Sequence, residues 1–151
     1  MYNKVLVPLD GSHRAEAIMP HVEELARRYG AAVVLMQVVE PMVSMPGPYG
    51  AVPDYQTYAD SLKHQMTEAK NYLAGWQGIL NAKGVAAHSV VENGPIVRCI
   101  VEVADRENID VIAMSSHGRT GLSRAFYGSV AAGLLHQTDR PLLLIRSKTG
   151  D

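Results

Sequence analysis

The sequence predicts an α/β protein built on a doubly wound, five-stranded parallel sheet with helices on both faces. Short apolar runs alternate along the 151 residues with longer stretches whose apolar side chains recur every three or four positions. The short runs show no in-and-out alternation, so each strand is covered on both faces, as parallel strands joined by right-handed helical crossovers are. No internal repeat and no linker interrupts the pattern, and the length suits one domain, residues 1–151.

Lys4 to Pro8 (KVLVP) is the first strand, closing in Leu9-Asp10-Gly11-Ser12, a turn cluster whose serine also suits a helix start. From Ser12, apolar residues at Ala15, Ile18, Val22, Leu25 and Tyr29 mark one helical face that stops at Gly30. Ala31 to Val39 (AAVVLMQVV) is the second strand, too apolar to face water on either side. Glu40 to Asp54 then breaks all periodicity with four prolines and two glycines, and Pro41 to Pro53 reads either as a lid carrying Met42, Met45 and Tyr49 or as a disordered bulge.

Leu62, Met66, Ala69, Leu73, Trp76 and Leu80 trace a long amphipathic helix that closes near Lys83-Gly84, with its Met and Trp in the core by spacing. Val85 to Val91 is the third strand. Asn93-Gly94-Pro95 opens a helix buried through Ile96, Ile100, Val103 and Ala104. Ile109 to Met114 (IDVIAM) is the fourth strand, Ser129 to Gln137 a short helix, and Pro141 to Ile145 (PLLLI) the fifth strand.

Composition narrows the function. Hydrophobic residues make up 47% and charged residues 19%, with a net charge of -1, which excludes a disordered chain and a surface that coats nucleic acid. The one cysteine, Cys99, sits in an apolar helical pattern and reads as buried packing, in keeping with a reducing cytoplasm. No leader opens the chain and no apolar run approaches about 18 residues, so a soluble protein with no membrane partner is expected.

In open parallel sheets, ligands sit beyond the carboxyl ends of the strands where the winding reverses. Two loops have unusual chemistry at such ends: Pro8 to Ser12, and the glycine-rich stretch between Met114 and Ala131 (MSSHGRTGLSRAFYGSVA). Gly118 and Gly121 let main-chain amides approach an anion, and Gly128-Ser129 stands at a helix start with its free N–H groups. The plain alternative is that these glycines form turns and Ser129 caps its helix.

Competing motifs are missing. No G-x-x-x-x-G-K-[ST] occurs, and no G-x-G-x-x-G follows the first strand. A phosphoacceptor domain needs an acidic pair after strand one, where Asp10 stands alone. His13 and His117 have no carboxylate or cysteine at ligand spacing, so they read as polar lining and no protein-built metal site is expected.

The spacing of Gly118, nine residues, then Gly128-Ser129, together with the opening KVLVPLDGS, the Asn93-Gly94-Pro95 entry, the run DVIAMSSHG and the ending DRPLLLIR, resembles the universal stress protein family over essentially the whole chain. The resemblance implies a Rossmann-like sheet in the order 3-2-1-4-5, which sets the two loops face to face. ATP-binding members carry glycine, two residues, glycine, nine residues, then glycine with serine or threonine. Gly118, Gly128 and Ser129 match, with Val130 and Ala131 adding amides, while Ser115 takes the place of the first glycine. By the same resemblance Pro8, Leu9 and Asp10 line the adenosine side, with Val38 and Met114 in contact.

His117 and Arg119 flank the matched glycine. Arg119 reads as a phosphate clamp or a solvated charge, and Arg124 as a solvated charge. Any magnesium is expected on the phosphates and water.

Family members commonly pair through the last strand, so the resemblance implies a two-fold homodimer through Leu142 to Ile145; the alternative is that helices bury this edge. No residue can be named to position a hydrolytic water. The expected function is therefore an ATP-binding regulatory module of the stress response with at most slow hydrolysis, acting on a protein partner that the sequence does not identify. The alternatives are a nucleotide-free dimeric adaptor of the same fold and a slow, partner-dependent ATPase.

Overall fold

A computed structural model describes residues 1–41, 55–116 and 128–146. Five strands, β1 (Lys4–Pro8), β2 (Ala32–Val39), β3 (Ala87–Asn93), β4 (Val111–Ser115) and β5 (Leu142–Ile145), form one sheet in the order β3-β2-β1-β4-β5. All four pairings are parallel, with Val5 opposite both Val33 and Val111. This is the architecture and strand order expected above.

The helices are α1 (His13–Glu16), α2 (Met19–Tyr29), α3 (Tyr55–Ala82), α4 (Ile96–Arg106) and α5 (Ser129–Gln137). Because side chains alternate along a strand, each central strand feeds two cores. Val5, Val7, Val33, Leu35 and Ala113 pack with α2 and with Leu73 and Leu80 of α3. Leu6, Val34, Met36 and Ile112 pack with Ile100 and Val103 of α4 and Leu134 of α5. Cys99 is buried in the second core, and burial pushes its thiol pKa up.

Several boundaries differ from expectation, each for a local reason. The stretch expected as one helix from Ser12 to Gly30 is broken between Glu16 and Met19. Pro20 lacks the amide that the Glu16 carbonyl needs, so the helix restarts with proline in its first turn. Ser12 caps α1, its hydroxyl accepting from Ala15 N at 3.2 Å. Tyr29, expected on the buried face, is 44% exposed and stands edge-on to Tyr2 at 5.3 Å. Trp76 is only half-buried, lying against the first core.

Strands two, three and four begin later than expected. Ala31, Val85 and Ile109 are apolar and buried, yet their amides bond back to Ala26 O, Leu80 O and Ala104 O at 2.9, 3.0 and 2.9 Å. Each closes the preceding helix with the six-to-one bond of a Schellman turn and joins no ladder.

The amino end of β1 is tied to the loop before β4 by Asp110, whose Oδ2 accepts from Asn3 N at 2.6 Å and Lys4 N at 2.9 Å. These two bonds hold its carboxyl below the ordinary carboxylate range. A depressed folded-state pKa contributes stability above the unfolded value, and that contribution is lost as pH falls through the folded value. Asp110→Ala is therefore expected to lower Tm at neutral pH, and the difference from the parent should shrink below about pH 4. Thermal unfolding followed by circular dichroism across that range checks it; a constant difference means that the carboxylate does not act as a charged acceptor.

Among the described residues no helix is long and apolar enough to cross a membrane.

Candidate functional site

The winding reverses between β1 and β4, and at their carboxyl ends, together with that of β2, the structure opens a cavity of about 1060 Å³ between α3 on one side and α4 and α5 on the other. This is the crevice such sheets use for ligands, and its volume is at the upper end for small-molecule sites.

The chain leaving β1 supplies Pro8, Leu9 and Asp10 to the wall. Leu9 N donates to Met36 O at 2.7 Å, which carries the ladder one step past the strand. Asp10 Oδ1 accepts from Ser12 N at 2.9 Å and from Ser12 Oγ at 2.6 Å. This local turn sets the carboxylate at the cavity edge. From β2 come Gln37, Val38 and Val39, and Glu40 follows directly after the strand.

The end of β4 contributes Met114, Ser115 and Ser116. Ser116 N donates to Ile145 O at 2.8 Å, while Ser116 O accepts from Gly128 N at 2.9 Å, so one residue fixes both the exit of β4 and the entry of α5. A Cβ on Gly128 would lie 2.5 Å from Ser116 O, a distance only glycine tolerates. Gly128 is the N-cap of α5 and offers no side-chain cap. The first intrahelical bond runs from Ala132 N to Gly128 O at 3.0 Å. The amides of Ser129, Val130 and Ala131 thus have no intrahelical partner, and the positive end of the helix meets the cavity they line. Ser129 is the first helical residue, so it does not cap the helix as the plain alternative supposed.

Two polar atoms in this wall are buried without a partner, Ser115 Oγ and Gln37 Oε1. Ser115 is 5% exposed. Atoms left in that state cost free energy until something satisfies them.

The opposite wall comes from α3 through Gln65, Glu68, Ala69 and Tyr72. Tyr72 Oη donates to Glu16 Oε1 at 2.9 Å, and Trp76 Nε1 reaches the same oxygen at 3.4 Å. Burial first, and then the Glu16 hydrogen bond and charge, push the Tyr72 hydroxyl well above the usual phenol range. It is a fixed donor rather than an acid or base near neutral pH. His13 lies outside the cavity wall, exposed, with Nδ1 2.9 Å from Glu16 Oε2. Pro95, Ile96, Val97 and Ile100 make an apolar flank on the α4 side.

Of the residues singled out from sequence, Pro8, Leu9, Asp10, Val38, Met114, Ser115, Gly128, Ser129, Val130 and Ala131 line this one cavity. His117, Gly118 and Arg119 lie outside the described residues, as do Gly121, Arg124, Met42, Met45 and Tyr49. Sequence reasoning missed Gln37, Glu40, Gln65, Glu68 and Tyr72. Gln37 had a signal, as the one polar side chain in AVVLMQVV, and Glu40 follows that strand directly; Gln65, Glu68 and Tyr72 depend on which strand α3 covers. Among the described residues, no group of three or more His, Cys, Asp or Glu side chains is placed to hold a metal ion.

Comparison with known proteins agrees with this architecture. Universal stress protein MJ0577 of Methanocaldococcus jannaschii is 28% identical, covering 98% of this chain and 97% of its own length. The solved structure of MJ0577 superposes with a TM-score of 0.83 over 99% of both chains. A universal stress protein family member from Burkholderia pseudomallei, 26% identical, superposes at 0.73 over 95% of this chain and 96% of its own. A universal stress protein from Archaeoglobus fulgidus, solved in complex with dAMP, has the same fold at 19% identity and a TM-score of 0.58, covering 96% and 98%. The profile of the universal stress protein family matches residues 1–146, and with sheet order, crevice and sequence in agreement, the chain belongs to that family.

Proposed function

We propose that the cleft binds an adenine nucleotide, ATP first among them, and that the whole chain works as one regulatory nucleotide-binding module in the stress response. The observation that carries this reading is the β4–α5 junction. Gly128 packs its main chain against Ser116 O with no room for a Cβ, and the amides that follow have no intrahelical partner beside the cavity. Such a helix start suits phosphate oxygens. The residues present fit the ligand in other respects: Val38, Met114 and Ile100 offer an apolar bed for a base, and Asp10 suits the donors of a neutral nucleoside. The family structure in complex with dAMP, and another universal stress protein in complex with cAMP, point to the same ligand class.

The phosphates, when bound, bring negative charge that magnesium and water neutralise. This chain's part is to present amides and hydroxyls and to shut the nucleoside against apolar walls. Hydrolysis that is at most slow belongs to the same proposal. His117, Gly118 and Arg119 belong to the same reading as additions to the phosphate side.

The protein is further proposed to be cytoplasmic and to pair two-fold through β5. This edge strand carries four half-buried aliphatic residues and, among the described strands, pairs with β4 alone. A nucleotide-free adaptor is the second reading, favoured by Ser115, whose hydroxyl stands where ATP-binding members have glycine.

Denaturing freshly purified protein and identifying the released small molecules by mass, followed by calorimetric titration with ATP and magnesium, tests the first reading. Adenine nucleotide in the supernatant or saturable binding is expected. Neither, from folded protein, leaves the adaptor.

A further inference from the structure

Among the described residues, two buried side-chain polar atoms have no partner, Ser115 Oγ and Gln37 Oε1, and both residues line the cleft. Their places in the sheet are related. Carried past Pro8–Met36 and Leu6–Ile112, the strand registers set Gln37 of β2 and Ser115 of β4 in one row with Leu9, on either side of it. Leu9, Leu35 and Ala113 pack in the first core, and side chains two apart on a strand share a face. Both polar side chains therefore face the α3 side of the sheet. Ala15 of α1 and Tyr72 of α3, which pack on that core, line the cavity there.

The phosphate and base sites proposed above lie on the other side of the strand ends. Ala131 of the first turn of α5 packs in the second core with Val38, Met114 and Ile100. When base and phosphates are held on one side, the part of a nucleotide left to face the other is the ribose that joins them. Its hydroxyls both donate and accept, so they can satisfy the Gln37 carboxamide oxygen, which only accepts, and the Ser115 hydroxyl, which does either. Neighbouring strands lie roughly 4.8 Å apart, so β2 and β4 are about 10 Å apart across β1. A sugar hydrogen-bonded on both sides, at about 2.8 Å each, fits that span.

We propose that Gln37 and Ser115 determine specificity for the sugar: their side chains hydrogen-bond the 2′ and 3′ hydroxyls of a ribonucleotide, so nucleotides without those hydroxyls bind less tightly. This rests on the nucleotide reading above. Neither atom gives up a bond to a described residue, so bonds made to a ribose are gained outright. A nucleotide lacking the hydroxyls is the smaller ligand, so its weaker binding is no clash.

Calorimetric titrations with ATP and 2′,3′-dideoxyadenosine triphosphate, both with magnesium, test it. The parent protein should bind ATP about tenfold more tightly. Gln37→Met and Ser115→Ala should each narrow the ratio to about threefold. Each should leave the Tm of the ligand-free protein unchanged or raised, because an unpartnered polar atom is removed. The parent comparison needs no substitution, and if one variant fails to fold the other reads the same ratio. Equal binding of the two compounds by the parent overturns the proposal, as does a ratio that neither substitution narrows, since the sugar then rests on other groups. In either case ATP binding stands and only the assignment of these two side chains fails. If folded protein binds neither compound, the nucleotide reading falls and this inference with it.

Discussion

Gly128→Val is expected to abolish binding of adenine nucleotide while leaving the fold standing. The new Cβ would sit 2.5 Å from Ser116 O, a main-chain atom held in place because Ser116 N is bonded to Ile145 O in the β5 edge. Neither side can yield cheaply, so the Gly128 N to Ser116 O bond breaks and the first turn of α5 swings away from the end of β4. Two or three main-chain donors then miss the phosphates together. Hydrogen bonds to charged groups contribute about 1.5–3 kcal/mol each, and the loss of two is at least about a hundredfold in affinity. The sheet and the first core lie elsewhere, and of the second core only Ala131 sits in the displaced turn, so the circular dichroism spectrum should be nearly unchanged and unfolding should remain cooperative at a lower Tm. Calorimetric titration with ATP reads the outcome. A folded variant with near-parental affinity would mean that the phosphates are held somewhere other than at this junction.

Much of this site was legible because its chemistry is written in local sequence. Glycine beside serine at a helix start and an aspartate two residues before a serine each specify their own geometry, and the structure shows both, at Gly128-Ser129 and at Asp10-Ser12. The sheet was legible for a similar reason, since strands covered on both faces cannot carry polar runs. What sequence reading lost was the handover between elements. Ala31, Val85 and Ile109 look like the first residues of strands, being apolar and leading into apolar runs, but each gives its amide to the preceding helix. Hydrophobicity reports where a side chain goes and says nothing about where the amide beside it goes.

The α3 wall was lost for a different reason. Glu68 and Tyr72 occupy the same helix as the core residues Leu73 and Leu80, and only the packing of α3 over β2 and β3 brings them to the cavity. Tyr72 illustrates the limit well. Its ring continues the apolar stripe, while its hydroxyl finds a carboxylate 56 residues away in sequence. No spacing rule connects two such positions.

Gly133→Ala tests how α5 is held in place, and here two opposing effects can be weighed. Replacing glycine by alanine inside a helix gains about 1 kcal/mol in propensity. Against that, the added Cβ would meet Val97 Cγ2 at 2.7 Å and Cγ1 at 3.3 Å. A β-branched side chain has little freedom to move aside, so α4 and α5 must separate. Overpacking of this kind costs about 1–3 kcal/mol, which exceeds the gain, and the single variant should be less stable by up to about 2 kcal/mol. In a Val97→Ala background the clash is absent and only the propensity gain remains, so the same substitution should stabilise by up to about 1 kcal/mol. Urea unfolding of the four proteins gives the two differences directly. Opposite signs would locate the contact that sets α5 against α4, and with it the aim of the α5 amides into the cleft; equal signs would mean that Val97 and Gly133 do not meet. Since Val97 also lines the cavity, the single variant should weaken ATP binding through the displaced helix, and the double variant should recover part of it.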